Sequence, residues 1–272
     1  TEMRKFSARI GLGLALMGLA GPVLSATPEE TARAALSRSP IIDGHNDVPE
    51  QLRARYGNDF SKFDFHDMSP TAAQKGGKMH TDLARLKKGM VGGQFWSVWV
   101  TTGQSESEAV REVTEQIDVV ERLMAAYPKD LMLANRADDI ELAFRQHRIA
   151  SLIGVEGGHS IGSSLGVLRQ LYRAGARYMT ITHSKNTPWA DSATDVPKSG
   201  GLAPFGVAVV KEMNRLGMLV DISHVSEKTM MDVLNVTSAP VIFSHSGARA
   251  IDGHPRNVPD TVLARLKANG GI

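Results

Sequence analysis

Six residues able to bind a metal or handle a proton stand at matching places along this sequence. His45 and Asp47 follow the run Pro40-Ile-Ile-Asp43. Glu156 follows Ala150–Val155, His183 follows Tyr178–Thr182, His224 follows Met218–Ile222, and His245 follows Ala239–Phe243. Neutral imidazole nitrogen and carboxylate oxygen are the usual zinc ligands where no thiolate is available. The chain has no cysteine, which excludes thiolate sites and cysteine nucleophiles. His45 with Asp47 opposing His224 with His245 suits two ions, and Glu156 between them suits a bridge. Two ions about 3.5–4 Å apart share a hydroxide that attacks a carbonyl, which is hydrolysis without a covalent enzyme intermediate. Each residue also has a plainer reading: His45-Asn-Asp47 alone fits a turn with a helix-capping Asp. A lone His after a strand is usually a hydrogen-bonded structural residue. The argument for a site is the register, since chance does not place such residues at the ends of successive strands.

The elements that must position them are short strands alternating with helices. Strands are expected at 40–43, 94–100, 150–155, 178–182, 218–222 and 239–243. Helices are expected near 28–39, 105–127, 165–174, 205–216, 227–235 and 259–268. Val110, Val113, Ile117, Val120 and Leu123 mark one helical face. Leu219-Val220 and Val241-Ile242-Phe243 are apolar on both sides, as buried parallel strands are. The alternation predicts a parallel α/β fold, and in a closed barrel the C-terminal strand ends converge on one face. The polar stretch 51–78 reads as an excursion over the surface. Trp96 and Trp99 read as core or pocket wall. His66, His80, His147 and His254 read as surface or structural residues, and His159 as a support for its neighbours. Six strands are visible, and the chain stops at Asn269-Gly-Gly-Ile272, which reads as a turn entering another strand. A barrel of eight needs two more βα units, so these are expected to be missing from this chain.

The first 26 residues read as a secretory leader. Met3 looks like the start, with Thr1-Glu2 upstream of it. Arg4, Lys5 and Arg9 form a basic segment, an apolar run follows from Ile10 to Leu24, and Ser25-Ala26 offers a cleavage site. The run is short for a membrane span, so no stable anchor is expected after cleavage. The segment carries three positive charges and one negative, which accounts for the whole chain's net +2. The remainder, 27–272, is formally neutral and implies no nucleic-acid surface.

Together the motifs identify a family. Ile42-Asp-Gly-His-Asn-Asp47, Thr81-Asp-Leu with Gly92-Gly-Gln-Phe-Trp-Ser97, Gly154-Val-Glu-Gly-Gly-His159, Thr182-His-Ser-Lys-Asn-Thr-Pro-Trp-Ala-Asp191, Asp221-Ile-Ser-His224, Val241-Ile-Phe-Ser-His-Ser246 and Arg256-Asn-Val-Pro259 resemble the membrane (renal) dipeptidase family, peptidase family M19. The resemblance runs from about Arg33 to the last residue. It implies a (β/α)8 TIM-like metallohydrolase barrel, incomplete here, that hydrolyses dipeptides with two zinc ions. It implies His45 and Asp47 on one ion, His224 and His245 on the other, and Glu156 bridging. It further implies that His183 contacts the substrate and helps polarise the scissile carbonyl. Arg256 would bind the substrate's free carboxylate, for which its planar fork is suited. The family's catalytic aspartate lies on the last barrel strand, and no Asp in this chain matches it. Residues 1–272 by themselves are therefore expected to bind zinc weakly and to hydrolyse dipeptides at a negligible rate, two ions and turnover being expected of the full-length protein. Animal members carry a Cys where Lys185 stands and are lipid-anchored disulfide dimers. A chain without Cys is expected to be a bacterial exported form, periplasmic or secreted, with room for a homodimer of another kind. Two other readings compete. One is a different binuclear-metal amidohydrolase of deaminase or lactonase type, although those more often place His-x-His on the first strand. The other is a non-catalytic metal-binding fragment.

Overall fold

Parallel pairing through the middle of the chain organises the structure, a computed structural model that describes residues 26–68 and 79–272. The expected leader, apart from its last residue, lies outside the described residues. Helix α1 (Pro28–Leu36) belongs to a separate unit, Thr1–Arg38, and is closed at its start by a capping box between Thr27 and Glu30.

The second unit, Ser39–Ile272, holds the strands β1 (Ile41–Asn46), β2 (Val91–Trp99), β3 (Leu131–Leu133), β4 (Ile149–Glu156), β5 (Ala176–Thr180), β6 (Leu219–Asp221) and β7 (Val241–Ile242). They form one parallel sheet in the order β1-β2-β4-β5-β6-β7. The other edge of β4 is shared, with β3 on residues 149–151 and β5 on residues 153–156. Between the strands run helices α2 (Val48–Tyr56), α3 (Leu83–Lys88), α4 (Glu106–Ala126), α5 (Ala137–Arg145), α6 (Leu165–Arg173), α7 (Pro204–Leu216) and α8 (Glu227–Val236), and α9 (Asp260–Asn269) follows β7. Every residue of β4 is buried, as its nearly continuous apolar run requires. On α4 the expected stripe Val113, Ile117, Val120 and Leu123 faces the core.

The sheet is curled into an incomplete barrel. The C-terminal ends of β1 and β7 meet, so closely that a Cβ on Gly44 would lie 2.5 Å from the Ser244 carbonyl oxygen. Ile272 donates its N–H to the Val241 carbonyl (3.2 Å) and accepts from the Phe243 N–H (2.8 Å). Ile272 thus pairs with β7 in the parallel sense, as expected of a turn entering another strand. No helix among the described residues is long and apolar enough to cross a membrane.

Two expectations are corrected. There are seven strands among the described residues, not six. β3 has only three residues, too few to show a period. The stretch 51–78 is not simply a surface excursion, although residues 69–78 lie outside the described residues. Leu52, Phe63, Phe65 and Met68 are buried, and Phe65 packs edge-on to Trp96 at 5.9 Å. Tyr127 secures this segment by donating its hydroxyl to the Phe63 carbonyl and accepting from the Phe65 N–H. The mean polarity of the stretch concealed a few aromatic anchors, each worth about 1.5–3 kcal/mol when buried.

Candidate metal centre

The six residues singled out by strand register converge on one carboxylate. Glu156, the last residue of β4, is 4% exposed and sits among four imidazoles. Its Oε1 lies 2.9 Å from His224 Nε2, 3.2 Å from His245 Nε2 and 3.6 Å from His183 Nε2. Its Oε2 lies 3.5 Å from His45 Nε2 and accepts a hydrogen bond from Ser97 Oγ at 3.2 Å. The two oxygens thus face different histidines. Asp47 completes the His45 side, with Oδ1 3.1 Å from His45 Nε2. It stands at the N-cap position of α2, yet its side chain makes no capping bond. That outcome disposes of the plainer reading of His45-Asn-Asp47.

Local backbone explains the convergence. Strands in a parallel sheet end on one side, and the loops after β5, β6 and β7 begin with His183, His224 and His245 within a few residues. His224 has φ 66°, a left-handed conformation that costs a non-glycine residue about 1–3 kcal/mol. The strain is carried by a residue that must turn its ring back towards Glu156. The rings pack on one another: His45 stacks on His245 with centroids 3.8 Å apart, and His183 lies 4.3 Å from His224.

The electrostatics are those of a buried anion among basic groups. Burial alone would raise the Glu156 pKa, but hydrogen bonds from His224 and His245 and the charges of His45 and His183 hold it well below the usual carboxylate range. Burial works against a charge on His45, yet the Asp47 hydrogen bond and the charges of Glu156, Asp47 and Asp221 outweigh it and raise the pKa. Burial pulls His183 down to about 4, against the pull of Glu156. His224 is also lowered by burial, partly offset by Glu156.

The donor set fits a metal. His224 Nε2 and His245 Nε2 are 2.9 Å apart, so two basic nitrogens point at each other as well as at Glu156. One proton can serve such a pair; a cation accepting both lone pairs serves it better. Two triads have ligand atoms close enough to share an ion, His45–Glu156–His245 and Glu156–His183–His224. His183 thus stands among the ligand-type groups, where the resemblance gave it a catalytic and substrate-binding role but not a place among the metal ligands.

Above the imidazoles opens a cavity of about 400 Å³, lined among others by Glu50, Trp99, His183 and Arg256. The Arg256 guanidinium donates from Nη2 to the His245 carbonyl at 3.4 Å, and its buried Nε has no partner. Burial lowers the Arg256 pKa, opposed by Glu156 and Asp221. Trp99 lies 5.4 Å from the His183 ring as pocket wall, while Trp96 is fully buried in the core. His159 donates from Nε2 to the Val100 carbonyl at 3.0 Å and ties the turn after β4 to the end of β2. His66 is largely exposed beside Asp64, whereas His254 receives the Arg256 N–H and His80 lines a neighbouring cavity with His45 and Asp47.

The sequence reading missed the polar residues beneath the histidines. Tyr178, Asp221 and Ser244 were treated as strand or motif residues only. The available signal was Gly154, whose missing side chain leaves room for the Tyr178 ring, and the placing of Ser244 next to His245.

Comparison with known proteins gives the same picture. Residues 29–272 match the family described as membrane dipeptidase (peptidase family M19). Among solved structures, a metallopeptidase from Rhodobacter sphaeroides liganded with a phosphinate mimic of the dipeptide L-Ala-D-Ala is similar at 22% identity and TM-score 0.75, over 86% of this chain and 72% of that one. The probable dipeptidase PvdM from Pseudomonas aeruginosa is similar at 22% identity and TM-score 0.75, over 90% of this chain and 62% of that one. The dipeptidase AC, a metallopeptidase of family M19, is similar at 25% identity and TM-score 0.73, over 86% and 70%. The chain therefore spans less than two thirds of PvdM and about 70% of the other two.

Proposed function

The chain belongs to the membrane dipeptidase family, peptidase family M19, whose members are metallopeptidases, and from that premise we propose that it hydrolyses dipeptides with two zinc ions held around Glu156. The observation that carries this reading is the division of labour at the carboxylate. Oε2 faces His45, which Asp47 joins, and Oε1 faces His224 and His245. Each oxygen has a nearest histidine of its own, with His183 also 3.6 Å from Oε1, and this supports a bridging role; the closest groupings of ligand atoms set His45 with His245 and His183 with His224 around the same carboxylate. Zinc supplies Lewis acidity when bound: it polarises a carbonyl and lowers the pKa of water.

The chain's own residues supply substrate binding and carbonyl polarisation, while no Asp of the chain is assigned the proton transfer. Arg256 holds the substrate's free carboxylate with a guanidinium that is half-buried and only partly engaged. His183, neutral at pH 7 because burial lowers it, donates a hydrogen bond to the scissile carbonyl oxygen. Trp99 closes one wall of the cavity and limits water near His183. A dipeptide is small enough for a 400 Å³ cavity, and the ligand of the Rhodobacter sphaeroides enzyme is of that class. The layout of residues 1–26 supports export, to the periplasm or medium.

The test is zinc content together with turnover on a panel of free and C-terminally amidated dipeptides. Two zinc ions per chain and hydrolysis confined to free dipeptides are expected. Loss of a buried charge-assisted pair costs about 2–5 kcal/mol, so amidation should lower kcat/KM by about one and a half to three and a half decades. Equal turnover of both forms overturns the role of Arg256. Zinc binding without turnover leaves the reading as a non-catalytic metal-binding chain.

A further inference from the structure

Two of the four imidazoles are held from below, through their other ring nitrogen. His45 Nδ1 lies 3.1 Å from the Tyr178 hydroxyl, and His245 Nδ1 lies 2.8 Å from Ser244 Oγ. Ser244 Oγ donates its own proton to Asp221 Oδ2 at 2.6 Å. It therefore offers His245 only lone pairs, and His245 Nδ1 must be the donor. Nε2, which faces Glu156 and gives it a hydrogen bond in the metal-free chain, is then the nitrogen that would exchange its proton for a cation. The buried Tyr178 hydroxyl also lies close to the Ser244 side chain, which brings the two supports side by side.

They end on one anchor. Asp221 is fully buried. Its Oδ2 accepts from Thr180 Oγ1 at 2.6 Å as well as from Ser244, and its Oδ1 accepts from the backbone N–H groups of Ser223 and Ser244, each at 3.0 Å. These donors come from the ends of β5, β6 and β7. A carboxylate so saturated cannot swing, and it fixes the direction of the hydroxyl protons above it. By contrast, His183 Nδ1 is buried without a partner.

We propose that Asp221, Ser244 and Tyr178 form a positioning network under the metal centre, which presents Nε2 of His45 to one ion and Nε2 of His245 to the other. The inference rests on the two-zinc reading above. A partner on the far nitrogen sets a ligating imidazole's tautomer and angle, and its removal costs about 10–100-fold in metal affinity. Because the network carries one histidine of each pair, its members have separable effects. Ser244 acts on the His224–His245 ion, Tyr178 on the His45–Asp47 ion, and Asp221 on both.

The experiment titrates zinc into the metal-stripped chain against a competing chelator. Ser244→Ala and Tyr178→Phe should each weaken one of two binding steps by about 10–100-fold, and together should weaken both. Ser244→Thr, which keeps the hydroxyl, should restore the first. Thr180→Val removes an Asp221 hydrogen bond that touches no histidine; it should lower thermal stability and leave zinc affinity within about threefold. Asp221→Asn should weaken both steps; should it fail to fold, the two hydroxyl variants carry the test. Nitrogen-15 NMR should show His245 protonated on Nδ1 in the zinc-loaded chain. Unchanged zinc affinity in Ser244→Ala, or an equal loss in Thr180→Val, overturns the positioning role while the zinc reading stands. Failure of the unsubstituted chain to bind zinc overturns both.

Discussion

In the two-zinc reading proposed above, one side chain, Glu156, serves both ions. Glu156→Gln replaces a carboxylate with a neutral amide, which has one good acceptor in place of two. Both zinc ions should be lost at metal concentrations that saturate the parent, as measured by metal analysis after dialysis; loss of one alone would show that Glu156 does not bridge. The histidines carry the pH dependence of the metal-free chain. His183 sits at about 4 against an ordinary value of 6.5. The unfolded chain therefore binds its proton first, and the stability it contributes is full above about pH 6.5 and lost as pH falls towards 4. His45 is raised, so its contribution has the opposite sign: full below 6.5 and lost as pH rises through its folded value. Thermal melts of metal-free His183→Asn should accordingly lose less stability between pH 7 and pH 5 than the parent. A parallel loss in both would remove His183 from the account.

Individual elements matter here for how closely they approach. Gly154 on β4 faces Tyr178 on β5, and a Cβ at 154 would fall inside the phenol ring. The ring cannot yield without moving its hydroxyl off His45. Gly154→Ala should therefore destabilise the chain by about 1–3 kcal/mol through overpacking and weaken zinc binding at the His45 side. Chelator titration beside a denaturant melt checks both; a destabilised variant with parental zinc affinity would separate Tyr178 from the metal site. The loops after β5, β6 and β7 show the same economy, since three short strands deliver His183, His224 and His245 to one place with few intervening residues.

For the molecule as a whole, the centre is a clasp. The candidate ligands come from β1, β4 and the loops after β5, β6 and β7, strands that lie across the full width of the curled sheet. A metal that binds only the folded chain stabilises it by mass action, by about 2.7 kcal/mol at a hundred times Kd for one site. For a chain of this size that is about 5–11 °C in Tm. Zinc-loaded chain treated with chelator should lose at least that much in a thermal melt. An unchanged Tm would mean that the ligands are not drawn together by the ion.

The ligand types, their place at strand ends and the absence of thiolates were legible in the sequence, because residue chemistry and strand periodicity are local properties. So was the family, through motifs quoted in order from Ile42 to Pro259. Strand β3 and the buried part of the 51–78 stretch were not, since three residues show no period and a few aromatics among polar neighbours do not shift the average. The opposition of His45 to His224 with His245 across Glu156 was legible too, but the approach of His183 to the same oxygen as His224 and His245 was decided only by the fold. So was the path from Tyr178 through Ser244 to Asp221. These contacts join residues far apart in the chain, 23 positions for Asp221 and Ser244 and 133 for His45 and Tyr178, and such pairings depend on how far the sheet curls and how the strands register, which no local pattern encodes.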